Sequence, residues 1–483
     1  MTTTPHRWVQ PGAGSLGVVV PRSGAEPVVG AGGQAQPRPP ESPAEASRRA
    51  VDGVLADLTS GNHLGVVVDS PPGAGKSTLV VRAAGELARA GEPLIVIAQT
   101  NEQVDDLVAR LAQAEPKLPI GRLSATDYTA SERITHYSTV RVAAKVADLG
   151  EPSVIIGTAA KWATVPEGRW PWAIVDEAYQ MRSDALLRVA GRFDRALFVG
   201  DPGQLDPFST VETERWLGLT WDPMQSAVAV LLRHNPELPV HRLPVSWRLP
   251  ASAAPVVAEA FYPFTGFAAG TTAAQRSLTF TTAGSGGGPI DEALDLAAAT
   301  GWALYELPAR HTLRTDAEAT AACAALAVRL LERGAVAVSE REPSGAPVTP
   351  DRIAIGAAHR DQVAAIRARL GPAGAGVTVD TANRLQGREY DVTIVLHPLS
   401  GRRDATAFHL EAGRLCVLTS RHRHACVVVA RAGIAELLDA HPSAEPVHLN
   451  VPVRFPDGWE AHQAMLSRLA AGRIPADRRP AGP

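Results

Sequence analysis

The nonapeptide Ser70-Pro71-Pro72-Gly73-Ala74-Gly75-Lys76-Ser77-Thr78 constrains this chain more than any other feature. An apolar run, Leu64 to Asp69, precedes it and a helix-length segment follows. A glycine-rich turn between a buried strand and a helix aligns successive backbone N–H groups into an anion-binding nest at the helix N-terminus. Pro72, Gly73, Ala74, Gly75, Lys76, Ser77 and Thr78 therefore form a candidate phosphate-binding loop, with Ser70 standing where the usual first glycine would be. Lys76 places a point charge at the β- and γ-phosphates, and the Ser77 hydroxyl is suited to Mg²⁺. The cofactors implied are ATP and Mg²⁺.

Short apolar runs recur at Leu94–Ile97, Val154–Ile156, Ala173–Val175 and Ala196–Val199, with helix-length segments between most of them. A second series follows at 353–355, 377–379, 392–395 and 426–429. Continuous apolar strands alternating with helices predict parallel sheets covered on both faces. A chain of 483 residues has room for two or three domains at about 150 residues each. The expected fold class is α/β, with two tandem parallel-sheet domains. Expected boundaries are a flexible N-terminal extension over 1–45, a first domain over 46–243 and a second over 244–455. A C-terminal helix and tail would fill 456–483. The stretch 112–148 has room for a small insertion, with Tyr128 and Tyr137 as stacking residues. The Gly/Thr-rich stretch 268–289 reads as a surface loop or linker.

Composition excludes several classes. With 47 Lys and Arg against 50 Asp and Glu, the net charge is -3, so binding nucleic acid by bulk charge is ruled out, though a local basic groove is not. Three cysteines, none spaced as C-x-x-C, make no disulfide framework. No apolar stretch is long enough to cross a bilayer and the N-terminus lacks a signal-peptide core. The expectation is a cytoplasmic protein with no membrane partner.

Two further strand ends carry chemistry. The run Ala173–Val175 delivers Asp176 and Glu177 within Asp176-Glu177-Ala178-Tyr179-Gln180. Adjacent carboxylates at a strand end suit Asp176 as a metal-shell residue and Glu177 as the group that polarises the attacking water. The next strand ends in Gly200-Asp201-Pro202-Gly203-Gln204-Leu205-Asp206-Pro207, which sets Gln204 at the mouth of the same sheet. The pattern His422, His424, Cys426 along one strand reads as structural, and Trp170 and Trp172 as core.

Taken in order, the phosphate loop, D-E-A-x-Q and G-D-P-x-Q-L-x-P resemble the motifs of superfamily 1 helicases. The resemblance is to the branch that contains the nonsense-mediated-decay RNA helicase and its DNA relatives. Ser246-Trp247-Arg248-Leu249-Pro250 resembles that branch's Q-Y-R-M-x-P, and Ala357 to Gln362 its T-P-Y-x-x-Q. Asp380 to Asp391 matches the Q-G-x-E-x-D element, and Arg414 to His424 resembles R-L-N-V-A-L-T-R-A-R-H. The resemblance covers residues 60 to 430. It implies two RecA-like domains with ATP between them, Trp247 stacked on adenine, and Gly387 and Glu389 lining the cleft. Arg248 and Arg421 would reach the γ-phosphate, a role that couples hydrolysis to domain closure. Thr100, Asn101, Thr158 and Thr381 would contact a nucleic-acid backbone, although helix capping is the commonest use of such residues.

The function implied is an ATP-dependent translocase or helicase moving 5′ to 3′ on single-stranded nucleic acid, with DNA slightly favoured over RNA, acting as a monomer. A protein partner could dock on the N-terminal extension. The alternative is a nucleotide-gated switch that binds nucleic acid or protein without unwinding. Two departures matter: the helix before the phosphate loop carries no Gln, and the accessory barrel expected before that loop would be absent or reduced to a hairpin.

Overall fold

Eight parallel strands build the first sheet. They are β1 (Gly65–Asp69), β2 (Leu94–Ala98), β3 (Ile120–Leu123), β4 (Val140–Ala143), β5 (Val154–Thr158), β6 (Trp170–Asp176), β7 (Phe193–Gly200) and β8 (Val240–Arg242). Their spatial order is β4-β3-β5-β2-β6-β7-β1-β8. Strand β2 and most of β1, β5 and β6 are apolar and buried on both faces, while the edge strands β4 and β8 are half-exposed. Along β1, Val66 and Val68 enter one core and Val67 the other, the alternation a doubly covered sheet requires. The covering helices are α1 (Pro43–Ser60), α2 (Lys76–Arg89), α3 (Asn101–Ala114), α4 (Glu132–Thr135), α5 (Ala159–Trp162), α6 (Ser183–Ala190) and α7 (Ala227–His234). The computed structural model describes residues 41–205, 207, 225–284, 288–313, 315–443 and 456–477.

A second parallel sheet follows. The intervening strands are β9 (Val245–Ser246), β10 (Ala268–Ala269) and β11 (Ser277–Phe280), then β12 (Trp302–Leu307), β13 (Ala335–Val338) and β14 (Ala346–Pro347). Next come β15 (Ile353–Ala357), β16 (Thr378–Thr381), β17 (Tyr390–Leu396), β18 (His422–Arg431) and β19 (Arg473–Pro475). The six-stranded order is β16-β15-β17-β18-β12-β19. Helices α8 (Ala254–Phe261), α9 (Pro289–Thr300), α10 (Ala317–Glu332), α11 (Arg360–Leu370) and α12 (Ala382–Leu385) belong to this part. So do α13 (Ala407–Leu410), α14 (Ala412–Thr419), α15 (Ile434–Ala440) and α16 (Gly458–Leu469). Ile355, Ile394 and Val427 fill one core, Ala354, Val395 and Val428 the other. The architecture is α/β with two RecA-like parallel sheets.

Several local readings change. The stretch 268–289 is partly strand: β11 pairs antiparallel with β13, Leu278 opposite Ala337, and buries Arg276. Its Gly and Thr content masked an apolar partner more than 50 residues away. The segment 112–148 extends the edge of the first sheet through β3 and β4. The tail contributes β19, which pairs with β12. Of the expected N-terminal extension, residues 1–40 lie outside the described residues, and with them the idea of a docking segment. From Pro43 the chain is helical, started by a Ser42–Glu45 capping box and ended at Gly61 with φ 73°. No helix among the described residues is long and apolar enough to cross a membrane.

Candidate functional site

The strands that end at the site are neighbours: β6 delivers Asp176, β7 delivers Gly200, and β1 delivers Asp69 and the phosphate loop. Residues Pro72 to Gly75 make the turn, and Lys76, Ser77 and Thr78 open α2. Gly75 has φ 91° and Gly73 φ 73°, a region closed to most side chains. Gly73 is needed twice over, because a Cβ there would lie 2.9 Å from the backbone N of Arg248.

Two carboxylates meet the lysine. The Lys76 ammonium is paired with Glu177 and lies 3.9 Å from Asp176 Oδ1. Burial disfavours the ammonium, but the carboxylates of Glu177 and Asp176 outweigh it and raise its pKa. Burial lifts Asp176 to about 6 against the pull of Lys76. Asp176 Oδ1 and Glu177 Oε2 are both buried without a hydrogen-bond partner. Glu177 also has φ 53°, the one positive φ outside glycine among the described residues. A strained, buried carboxylate with one oxygen left without a hydrogen-bond partner is costly for a fold and typical of a working site. These orphaned oxygens beside Lys76 fit a hydrated divalent cation carried by a nucleotide phosphate.

Gln204 is buried and bonded on both sides. Its amide nitrogen donates to Asp201, and its oxygen accepts from Gln386 Nε2 at 2.8 Å. Asp201 also accepts from Tyr262 Oη at 2.6 Å and from Gly203 N at 3.0 Å. Burial raises Asp201 to about 6. The charge of Asp201 is felt by both Lys76 and Arg421, which ties the two halves of the site together.

The arginines converge from the second part of the chain. Arg421 is 1 % exposed, donates to Ser420 Oγ at 2.7 Å and keeps a buried, unpartnered Nε. Burial and the neighbouring Arg248 lower its pKa to about 10. Arg248 Nε lies 3.4 Å from Glu389 Oε2, while its Nη1 is buried and unpartnered. Glu389 is held below its usual pKa: burial opposes this, but Arg248, Arg423 and Arg341 outweigh it. Two cations that repel each other and retain free buried donors lack an anion between them.

Trp247 is half-buried, its ring packed so closely on Gly270 that a Cβ there would overlap it. Its backbone N donates to Gly73 O at 2.9 Å, and Ser246 Oγ donates to Pro72 O at 2.6 Å. The 245–249 segment is thus fastened to the phosphate loop through backbone carbonyls. Gly387 is exposed with φ 79°.

The candidate strand contacts divide. Thr100 caps α3, its hydroxyl accepting from Gln103 N at 3.3 Å, and Thr158 caps α5, accepting from Lys161 N at 3.2 Å. Asn101 is exposed, with its oxygen held by Arg122 Nη2 at 3.0 Å. Thr381 precedes α12 and its side chain makes no cap bond. Tyr128 is not an open stacking platform: its hydroxyl bonds Asp105 at 2.5 Å and Arg122 covers its ring at 3.8 Å. Tyr137 packs against the first core. His422 and His424 lie buried in β18, and no His/Cys/Asp/Glu cluster suited to a metal occurs among the described residues.

Sequence reasoning missed Arg276 and Glu340. The Arg276 guanidinium is 1 % exposed, donates to Arg248 O and, at 2.7 Å, to Trp247 O, and pairs with Glu340 at 2.8 Å. It holds the backbone on both sides of the Trp247–Arg248 peptide. A lone arginine in a Gly/Thr-rich stretch carries no signal for that role.

Two family models, each described as an AAA domain, match residues 52–219 and 302–433. No curated protein matches the chain. Among solved structures, the chain is similar to an arterivirus nonstructural protein 10 helicase in complex with DNA, at 13% identity and a TM-score of 0.40, covering 81% of this chain and 65% of that one. For the PRRSV helicase the values are 13% and 0.40, with 90% of this chain and 67% of that one. For the ATP-dependent Type ISP restriction-modification enzyme LlaBIII bound to DNA they are 9% and 0.43, with 89% and 30%. The chain thus spans just under two thirds of the first of these and under a third of the last.

Proposed function

We propose that the chain is a superfamily 1 helicase, an ATP-driven motor on single-stranded nucleic acid that moves 5′ to 3′. One observation carries the reading. Buried, unpartnered carboxylate oxygens of Asp176 and Glu177 lie beside Lys76, while Arg248 and Arg421 keep buried donors without an acceptor. Both sets of unmet groups are answered by one ligand, a nucleotide triphosphate with its Mg²⁺. Lys76 and the loop N–H groups would bind the β- and γ-phosphates, and Ser77 and Asp176 would hold the metal, which would supply charge neutralisation at the phosphates. Glu177, released from Lys76, orients and deprotonates the attacking water. Arg248 and Arg421 stabilise charge on the transferring group, and Trp247 packs on the base. Gln204, bonded to Gln386, relays the state of the γ-phosphate to the second sheet.

A second reading, a nucleotide-gated switch without unwinding, is favoured by one observation: the Thr100 and Thr158 hydroxyls are engaged in caps. Steady-state ATPase measured without nucleic acid, with single-stranded DNA and with single-stranded RNA separates the two, with Lys76→Ala as control. Stimulation by either polymer supports the motor and names its track. A slow rate indifferent to both overturns it.

A further inference from the structure

Tyr262 caps the C-terminal end of α8, and its backbone is fixed on both sides. Its N donates to Ala258 O at 2.8 Å, and its carbonyl accepts from Gly266 N at 2.7 Å. The side chain is 2% exposed, and its ring meets Phe267 edge-on with centroids 5.3 Å apart. The hydroxyl reaches the turn after β7, where it donates to Asp201 Oδ1 at 2.6 Å, and Cys416 Sγ of α14 lies 3.6 Å away. Gly203 makes the room: a Cβ there would lie 2.6 Å from the ring Cζ. Burial and the charge of Asp201 hold the phenol pKa well above its usual value, so the hydroxyl stays a donor.

The two oxygens of Asp201 are held from different sides. Oδ1 accepts from Tyr262 and from Gly203 N, and Oδ2 accepts from the Gln204 amide nitrogen. That amide has a donor end and an acceptor end, and its orientation follows from the partner each end finds. With its nitrogen on Asp201, its oxygen faces Gln386. Burial raises the Asp201 pKa, and the bond from Tyr262 is the largest influence against that rise. We infer that Tyr262 is a positioning residue of the nucleotide cleft: its hydroxyl fixes the Asp201 carboxylate and, through it, the Gln204 amide. The inference rests on the motor reading, and it gives this turn a second tether to the second part of the chain, besides Gln386.

The test is steady-state ATPase of the full chain with saturating oligothymidylate or oligouridylate. Wild type, Tyr262→Phe, Gln204→Ala and the double variant are compared, and the melting temperature of each is recorded. Tyr262→Phe deletes one oxygen and keeps the ring. It should lower kcat about tenfold, the scale of a hydrogen bond to a charged group. KM for ATP should stay within about twofold of wild type, because Lys76 and the phosphate loop are untouched. On the Gln204→Ala background the same change should cost less than about twofold, since no amide remains to be oriented. Cys416→Ala removes the other neighbour of the hydroxyl and loosens the packing, so it should lower the melting temperature and leave kcat within about twofold. An unchanged kcat in Tyr262→Phe, an equal loss on both backgrounds, or the same loss in Cys416→Ala overturns the inference while wild type remains strand-stimulated. Wild-type turnover that neither polymer stimulates overturns the motor reading, and the inference with it.

Discussion

Gln386 Nε2 donates to Gln204 Oε1 at 2.8 Å, a hydrogen bond between residues 182 apart in sequence that joins the turn after β7 to the end of α12. Because Gln204 also donates to Asp201, one amide links a carboxylate near Lys76 to the second sheet. Gln386→Ala removes the donor and leaves a buried acceptor unmet. Such a loss is worth about 1 kcal/mol, so stimulated ATPase should fall about fivefold to tenfold. Steady-state kinetics of this variant checks it, and an unchanged rate would show that the contact transmits nothing.

Gly413, in α14, marks how closely the two parts of the chain meet. A Cβ there would overlap the Gln204 carbonyl and lie 2.6 Å from Leu205 N. Backbone atoms cannot swing aside as a side chain can, so Gly413→Ala should cost about 1–3 kcal/mol and widen the cleft. Thermal melting and small-angle scattering are the measurements, with Gly433→Ala unsuitable as a control because its φ is 97°.

Glu177→Gln isolates chemistry from backbone strain. Glutamine at φ 53° bears the same conformational cost as glutamate, so any fall in melting temperature reports the lost pair with Lys76 rather than backbone strain. Turnover should drop about 10²- to 10⁴-fold through loss of the general base, with nucleotide affinity retained through Lys76. Equilibrium nucleotide binding and kcat, measured together, decide it.

Acid stability should depend on Glu340. The Arg276 guanidinium holds its carboxyl at about 2, below the ordinary 4.5. A depressed carboxylate pKa stabilises the fold above the unfolded value, and that contribution is lost as pH falls from about 4.5 toward 2. Melting temperatures across this window should fall more steeply for wild type than for Glu340→Gln. Parallel curves would place the acid sensitivity elsewhere.

Much of this was legible because the chemistry sits at strand ends. A phosphate loop between a strand and a helix, and Asp176-Glu177 after an apolar run, are local patterns, and β1, β6 and β7 bring them together by the ordinary rules of parallel sheets. What stayed hidden depends on distant partners. Arg276 reads as a loop residue until β11 finds β13, and Gly413 reads as helix filler until α14 meets Gln204. Thr100 and Thr158 show the converse: capping and strand contact call for the same residue, and the sequence alone does not separate them. Tyr128 was legible as an aromatic in a polar stretch, but its burial against Arg122 was not.

The first sheet also sets a timetable. Strand β1 is made first, yet the strands on either side of it are β7 and β8, the last of the sheet to leave the ribosome. Val68 must wait for Val199 on one edge and His241 on the other. Ser246 and Trp247, which fasten the phosphate loop, come later still. A chain emerging at about 5–20 residues per second therefore spends on the order of ten seconds or more with its nucleotide loop synthesised but unflanked. Nucleotide cannot help this domain begin to fold; it can only reward one that has nearly finished.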